Sequence, residues 1–265
     1  MRATVSDVFG LLTERIGPIE GTVDGLLAGS LEQEVRGIAV AFMPTMEALE
    51  RAAAMGANVF IAHEGPNYSH YAGFDAELTN DPVYQDKLRL LRDKGMNLFR
   101  YHDYPHREQP DLITTGLIEA LGWGEMVSKH VPAAALLTIP PMPLADIVEH
   151  VKRRLAIATV RAAGDLAMTC SRIAITVGYR GGGGTVIPLL HEEGADLVIC
   201  GEGPEWEAPE YVRDAAHRGM HKAIIAVGHA ESEQPGMRKL AARLQEQLPD
   251  VPVAFIPNDP VFRTL

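Results

Sequence analysis

The chain has 265 residues, 46% of them hydrophobic and 22% charged, a composition typical of a globular protein. Its formal net charge of −11 disfavours nucleic acid as a partner. No apolar run approaches the roughly 20 residues that a membrane-spanning helix needs, so no membrane association is expected. The N-terminal segment has acids and polar residues within its apolar stretch, which predicts an amphipathic helix rather than a signal peptide. With only two cysteines, a cytoplasmic location is expected.

The first half of the chain predicts alternating strands and helices. Apolar runs and helical spacing predict, in chain order, a strand at 35–42, a helix at 45–55, a strand at 58–62, a helix at 82–94 and a strand at 96–101. Thr45 is expected to cap the first of these helices, and Gly56 to end it.

The second half repeats this order. The pattern predicts a strand at 172–177, a glycine loop at 181–184, a helix at 185–193, a strand at 196–200, a helix at 209–218 and a strand at 222–227. The segment GANVFIAHEGP of the first half also resembles GADLVICGEGP of the second half in sequence. We therefore predict an α/β protein of two pseudo-symmetric lobes, residues 1–130 and 131–265, separated within the proline-containing stretch 122–143. A metal site is expected between the lobes, at the C-terminal ends of the strands.

Imidazole and carboxylate groups follow the predicted strands. The candidate ligands are His63, Glu64, His102, His106, His229 and Glu233. Such a mixture suits Zn, Mn or Fe, whereas Mg and Ca prefer oxygen ligands alone. Each segment taken alone also has a structural interpretation: a hydrogen-bonded turn, a histidine-rich surface loop or a helix cap. The coincidence of all three at equivalent strand ends favours a metal site.

Other polar groups are expected near these ligands. Glu202 ends an equivalent strand and is interpreted either as a general base, as a group behind a ligand, or as a salt-bridge partner of Arg180. Tyr68 and His70 are interpreted as pocket-lining side chains, with ordinary packing as the alternative. The four glycines at 181–184 lack the Gly-Lys-Ser/Thr of a phosphate loop and predict a close approach of backbone instead.

The segments GANVFIAHEGP, RYHDYPH and VGHAESE resemble those of the Nif-three-like dinuclear metal-centre proteins, some of which are described as GTP cyclohydrolase I type 2 homologues. The resemblance covers nearly the whole chain. It implies two divalent metal ions between two α/β lobes, a hexameric ring and, as ligands, His63, Glu64, His106, His229 and Glu233, with His102 close by. Glu64 stands where the family usually has histidine, and His106 where it usually has aspartate.

A dinuclear centre predicts hydrolysis by a metal-bound hydroxide, with Glu202 and His102 as the catalytic side chains. The resemblance favours an amide or a cyclic C–N bond of a small molecule as the substrate. A phosphoesterase is one alternative, and a non-catalytic metal-binding or regulatory ring is another. A third interpretation keeps the α/β fold but makes the histidines ordinary loop residues without a metal.

Overall fold

A computed structural model describes residues 3–70 and 73–263 of the chain. The elements up to residue 121 are α1 (Val5–Thr13), β1 (Gly25–Ala28), β2 (Ile38–Ala41), α2 (Met46–Ala54), β3 (Val59–Ala62), α3 (Phe74–Glu77), α4 (Pro82–Asp93), β4 (Asn97–Arg100), α5 (Asp103–Arg107) and α6 (Leu112–Leu121). A 3-10 turn at Gly124–Met126 follows, and then β5 (Val127–Val131), β6 (Ala134–Pro143), α7 (Leu144–Leu155), β7 (Arg161–Ala163), β8 (Thr169–Ile175), α8 (Gly183–His191), β9 (Leu197–Cys200), α9 (Ala208–His217), β10 (Ala223–Ala226), α10 (His229–Gln247) and β11 (Val253–Phe255).

The chain divides into two compact units. One comprises Met1–Leu112 and Met237–Asp259, and the other comprises Ile113–Gly236 and Pro260–Leu265. Each unit contains one mixed sheet with helices, so the predicted α/β class is confirmed. The division into domains at residue 130 stays a prediction. Among the described residues, no helix has both the length and the apolar character needed to cross a bilayer.

The sheet of the first unit has the strand order β1-β4-β3-β2-β11. Strands β2, β3, β4 and β11 run parallel, while β1 pairs with β4 in the antiparallel direction. Every residue of β2, β3 and β4 is buried, as expected for parallel strands covered on both faces. Leu49 of α2, Phe60 of β3 and Leu91 of α4 belong to one apolar cluster on this sheet.

The sheet of the second unit repeats much of this topology. Its order is β5-β6-β8-β9-β10-β7, with β8, β9 and β10 parallel and β7 antiparallel to β10. In both units, therefore, a short strand that precedes three parallel strands pairs with the last of them. The repeat read from the sequence is present in the strand pairing, although the hairpin β5–β6 has no counterpart in the first sheet.

Side-chain caps mark the starts of helices in the first unit. The Thr45 side chain accepts a hydrogen bond from the backbone N–H of Ala48 at 3.1 Å, which caps α2 as predicted. Asp81 caps α4 in the same way through Tyr84 N–H at 2.8 Å. The glycine loop at 181–184 differs from the prediction because α8 begins within it, at Gly183.

The proline-containing stretch 122–143 also differs from expectation. Rather than an irregular connection, it forms the hairpin of β5 and β6. Prolines disrupt a sheet because they donate no ladder hydrogen bond. Here Pro140 and Pro141 fall within the irregularity of β6 between Thr138 and Met142, where the regular pairing with β8 is interrupted.

Candidate metal centre

The candidate ligands of the first unit follow adjacent parallel strands. His63 and Glu64 come directly after β3, His102 lies two residues after β4, and His106 lies on α5. The backbone N–H of His63 donates to the carbonyl oxygen of Ala41 at 3.1 Å, so the ladder continues beyond the end of β3. The sheet therefore holds the backbone that carries the first ligands.

Three imidazole rings meet at this edge of the sheet. The ring centroids of His63 and His102 are 4.7 Å apart, those of His63 and His106 are 5.1 Å apart, and those of His102 and His106 are 5.2 Å apart. One ring nitrogen from each residue lies within 4.8 Å of those of the other two. His63 is fully buried, and the other two are half-buried.

Each ring is held through its Nδ1 atom. Nδ1 of His63 lies 3.0 Å from the backbone carbonyl oxygen of Tyr101. A carbonyl oxygen only accepts, so Nδ1 of His63 carries the proton, and in the neutral ring Nε2 carries the lone pair. Nδ1 of His102 lies 3.0 Å from the Asp103 carboxylate, which fixes the same tautomer.

His106 follows the same pattern, because its Nδ1 atom lies 3.0 Å from Oδ2 of Asp111. Metal-binding histidines characteristically donate the N–H of the non-ligating nitrogen to a carboxylate or a carbonyl oxygen. Burial and the neighbouring charge of His63 lower the pKa of His102 to about 4, despite the opposing effect of Asp103. His102 is therefore neutral at pH 7 and able to act as a ligand.

Glu64 lies beside this group of imidazoles. Its Oε2 atom is 2.6 Å from Nε2 of His70 and 3.5 Å from Nη2 of the buried Arg100, while its Oε1 atom is 3.9 Å from Nε2 of His102. Burial raises the pKa of Glu64, but the hydrogen bond from His70 and the charges of the surrounding histidines outweigh it. The resulting pKa is about 2, so the side chain is a carboxylate at neutral pH.

A carboxylate that the sequence analysis did not identify organises the second ligand segment. Asp24 accepts hydrogen bonds from the backbone N–H groups of His102, Asp103 and Tyr104 at 2.7, 3.0 and 3.0 Å. Burial raises the pKa of Asp24, against the effect of these hydrogen bonds. Asp103 in turn accepts from the Thr22 hydroxyl at 2.8 Å. The segment before β1 therefore fixes the backbone on which His102 lies.

The second unit has its own cluster at the ends of β9 and β10. Nδ1 of His229 lies 2.8 Å from Oε1 of Glu202, and its Nε2 lies 3.2 Å from Oε2 of the buried Glu233. The Ser232 hydroxyl donates to the carbonyl oxygen of His229 at 2.7 Å and accepts from Gly178 N–H at 2.9 Å. His229 thus repeats the arrangement of the first unit, with Nδ1 held and Nε2 directed at a second ligand.

The structure places most of the sequence-predicted site residues in one of these two clusters. Glu202 contacts His229 through Oε1 at 2.8 Å, and its role stays a prediction. His70, expected only to line a pocket, contacts Glu64 directly. The predicted close approach at the glycine loop is present, because Gly181 N–H donates to the carbonyl oxygen of Glu202 at 2.9 Å.

The donor atoms fit a divalent transition metal. Neutral imidazole and carboxylate are ligands of zinc, iron and manganese, and three protein donors with one open position are typical of catalytic zinc sites. In the first unit, Nδ1 of His63 and of His106 faces an oxygen acceptor, so Nε2 is the ligand atom of the neutral ring, and Glu64 is ionised. In the second unit, His229 and Glu233 present one imidazole and one carboxylate.

Comparisons with known proteins agree on one relationship. A family model described as Duf34/NIF3 (NGG1p interacting factor 3) matches residues 18–260. A Clostridium perfringens protein named GTP cyclohydrolase 1 type 2 homolog is 26% identical over 264 residues, covering 95% of each chain. The fold is also that of Staphylococcus aureus protein SA1388, at 19% identity and a TM-score of 0.76 over 99% of both chains. A Bacillus cereus protein related to NIF3 matches over 99% of both chains, at 16% identity and a TM-score of 0.75.

Proposed function

The chain belongs to the DUF34/NIF3 family, and from this membership and its two ligand clusters we propose that it is a metal-dependent hydrolase of a small molecule. The observation that carries the proposal is the common orientation of the histidines. His63, His102, His106 and His229 each have Nδ1 within 3.0 Å of a carboxylate or carbonyl oxygen. An arrangement that fixes four tautomers in this way prepares Nε2 for a ligand.

We assign metal binding to His63, Glu64 and His106 in the first unit and to His229 and Glu233 in the second, for two divalent ions of Zn, Mn or Fe. When bound, such an ion supplies Lewis acidity that polarises the bond under attack. Asp111 and the Tyr101 carbonyl oxygen keep the rings of the first unit in place.

Proton transfer in this proposal falls to Glu202 and His102. The Glu202 side chain is 42% exposed, so it is open to both substrate and water, and through Oε1 it also orients His229. A carboxylate in this position can accept a proton from an attacking water and return it to a leaving nitrogen. His102, which is neutral at pH 7, stays a candidate for the same task beside Glu64.

The substrate that we favour has an amide or a cyclic C–N bond. The name of the Clostridium perfringens relative, GTP cyclohydrolase 1 type 2 homolog, supports C–N ring opening. A hexameric ring and a cytoplasmic location, expected from the resemblance and from the cysteine content, stay predictions. Sedimentation of the untagged protein tests the first of them.

Metal analysis of untagged protein, followed by hydrolysis assays with and without a chelator, tests the proposal. We expect about two equivalents of metal per chain. His63→Ala and His229→Ala should lose metal and keep their circular dichroism spectrum. His191→Ala, which changes an exposed histidine at the end of α8, is the matched control.

Three outcomes separate the possible functions. Chelator-sensitive turnover of cyclic amides or amidines supports the hydrolase. A full complement of metal without turnover across a broad panel would favour the non-catalytic metal-binding ring. Absence of metal from the wild-type protein would contradict the metal centre itself.

A further inference from the structure

Glu64, His70 and His102 form a second group of potential ligands within the first unit. One ligand atom from each residue lies within 4.8 Å of those of the other two. The rings of His70 and His102 stand edge to face, with their centroids 4.7 Å apart. His70 lies outside the ligand set that the sequence motifs imply, since it is in the loop between β3 and α3 rather than at a strand end.

The two carboxylate oxygens of Glu64 have different surroundings. Oε2 faces Nε2 of His70 at 2.6 Å and Nη2 of Arg100 at 3.5 Å, whereas Oε1 faces Nε2 of His102 at 3.9 Å. Ligand atoms bound about 2.0–2.1 Å from one tetrahedral zinc lie about 3.4 Å from each other, so these separations bracket what a shared cation requires. The side chain of Arg100 is 6% exposed, and its charge compensates part of the negative charge of Glu64.

This group also accounts for a departure from the family pattern. Position 64, where the resemblance leads us to expect histidine, carries a carboxylate in this chain. His70 supplies an imidazole next to position 64, because its Nε2 atom contacts the Glu64 carboxylate. Two imidazoles and one glutamate then converge, which is a known ligand set of catalytic zinc sites.

We propose that His70 is a metal ligand, and that with Glu64 and His102 it holds a zinc-like divalent cation next to the position of His63 and His106. This inference rests on the proposed function. Nδ1 of His102 is held by Asp103, so His102 has one nitrogen to offer and binds a single cation through Nε2. With this cation bound, proton transfer falls to Glu202 alone. The cation takes the place of the hydrogen bond between His70 Nε2 and Glu64 Oε2, and the ring proton then resides on Nδ1, so that His70 binds as a neutral imidazole.

Crystals of the zinc-loaded full chain, measured at the zinc absorption edge, test the inference. We expect anomalous density about 2.0–2.1 Å from Nε2 of His70, in contact with Glu64 and His102. In solution, His70→Ala should bind one equivalent of zinc per chain less than the wild type by mass spectrometry, while the control His191→Ala binds as much as the wild type. The side chain of His70 is 47% exposed, so its replacement should leave the fold intact.

The alternative results separate the two proposals. Zinc bound at His63 and His106, with His70 still hydrogen-bonded to Glu64 and full zinc content in His70→Ala, would overturn the role of His70 and leave the proposed function standing. Failure of the wild-type chain to bind zinc, manganese or iron would overturn both.

Discussion

Gly178 offers a test of the second cluster without changing any proposed ligand. A Cβ atom at this position would lie 3.1 Å from Nε2 of His229, which is a tight contact, and closer to Oε1 of Glu233 than real Cβ atoms approach any atom. Its φ of +58° adds a backbone cost of about 1–2 kcal/mol for alanine. Gly178→Ala must therefore push Glu233 away from His229. We expect metal affinity to fall at least tenfold, the lower end of what disturbed ligand orientation costs.

Gly219→Ala is the matched control for this change. Gly219 belongs to the same unit and has a φ of +75°, but a Cβ atom there would meet nothing within 4 Å. Because of backbone strain, both variants should have a free energy of unfolding about 1–2 kcal/mol lower than that of the wild type, measured in urea on the metal-free protein. Only Gly178→Ala should also lose metal, measured by competition with a chromophoric chelator. Equal metal affinity in the two variants would refute the reasoning.

Three further changes probe the first unit. Asp111→Asn should weaken metal binding about 10–100-fold, because His106 loses the carboxylate that orients it. Unchanged metal affinity, measured by chelator competition, would show that metal binding does not depend on this contact. Arg243→Ala should lower the free energy of unfolding, measured in urea, by about 3–5 kcal/mol, because the buried Glu108 loses a bidentate partner at 2.7 and 2.8 Å. A decrease below 1 kcal/mol would contradict this. Burial lowers the pKa of Lys87 from 10.5 to about 8, so between these pH values the unfolded chain binds more protons and stability rises with pH. Between pH 7 and 9.5, the free energy of unfolding of the wild type should rise by about 2 kcal/mol relative to that of Lys87→Met. If the two proteins show the same dependence of unfolding free energy on pH, the lowered pKa of Lys87 is ruled out.

The parallel strands were predictable because burial on both faces leaves a continuous apolar run. The runs at 58–62 and 196–200 match β3 and β9 to within one residue at each end. The residues that directly follow these strands also indicated where the site lies, because parallel strands end at the same edge of a sheet and bring distant chain segments together there. The hairpin β5–β6 was missed because prolines argue against a strand unless an irregularity accommodates them.

The partners that fix the ligands could not be predicted in the same way. Asp24 binds the backbone of residues 102–104, nearly 80 positions along the chain, and nothing in its own segment marks it as part of the site. Asp111 is one of many acids near a helix start, where the helix dipole alone would explain it. His70 lies in a loop between β3 and α3, and the sequence of this loop has no hydrophobic periodicity from which its path could be predicted.

This difference follows from what each interaction requires. A ligand at a strand end is placed by backbone pairing, and the apolar sequence of the strand encodes that pairing directly. His63 shows this most clearly, because its Nδ1 is held by a backbone carbonyl oxygen of the segment that follows β4, which any residue at position 101 would supply. Its tautomer therefore depends on the pairing of two strands, whereas those of His102 and His106 depend on particular carboxylates. Substitutions at Tyr101 should accordingly leave the His63 tautomer intact as long as β3 and β4 remain paired, while Asp111→Asn acts directly on the ring of His106.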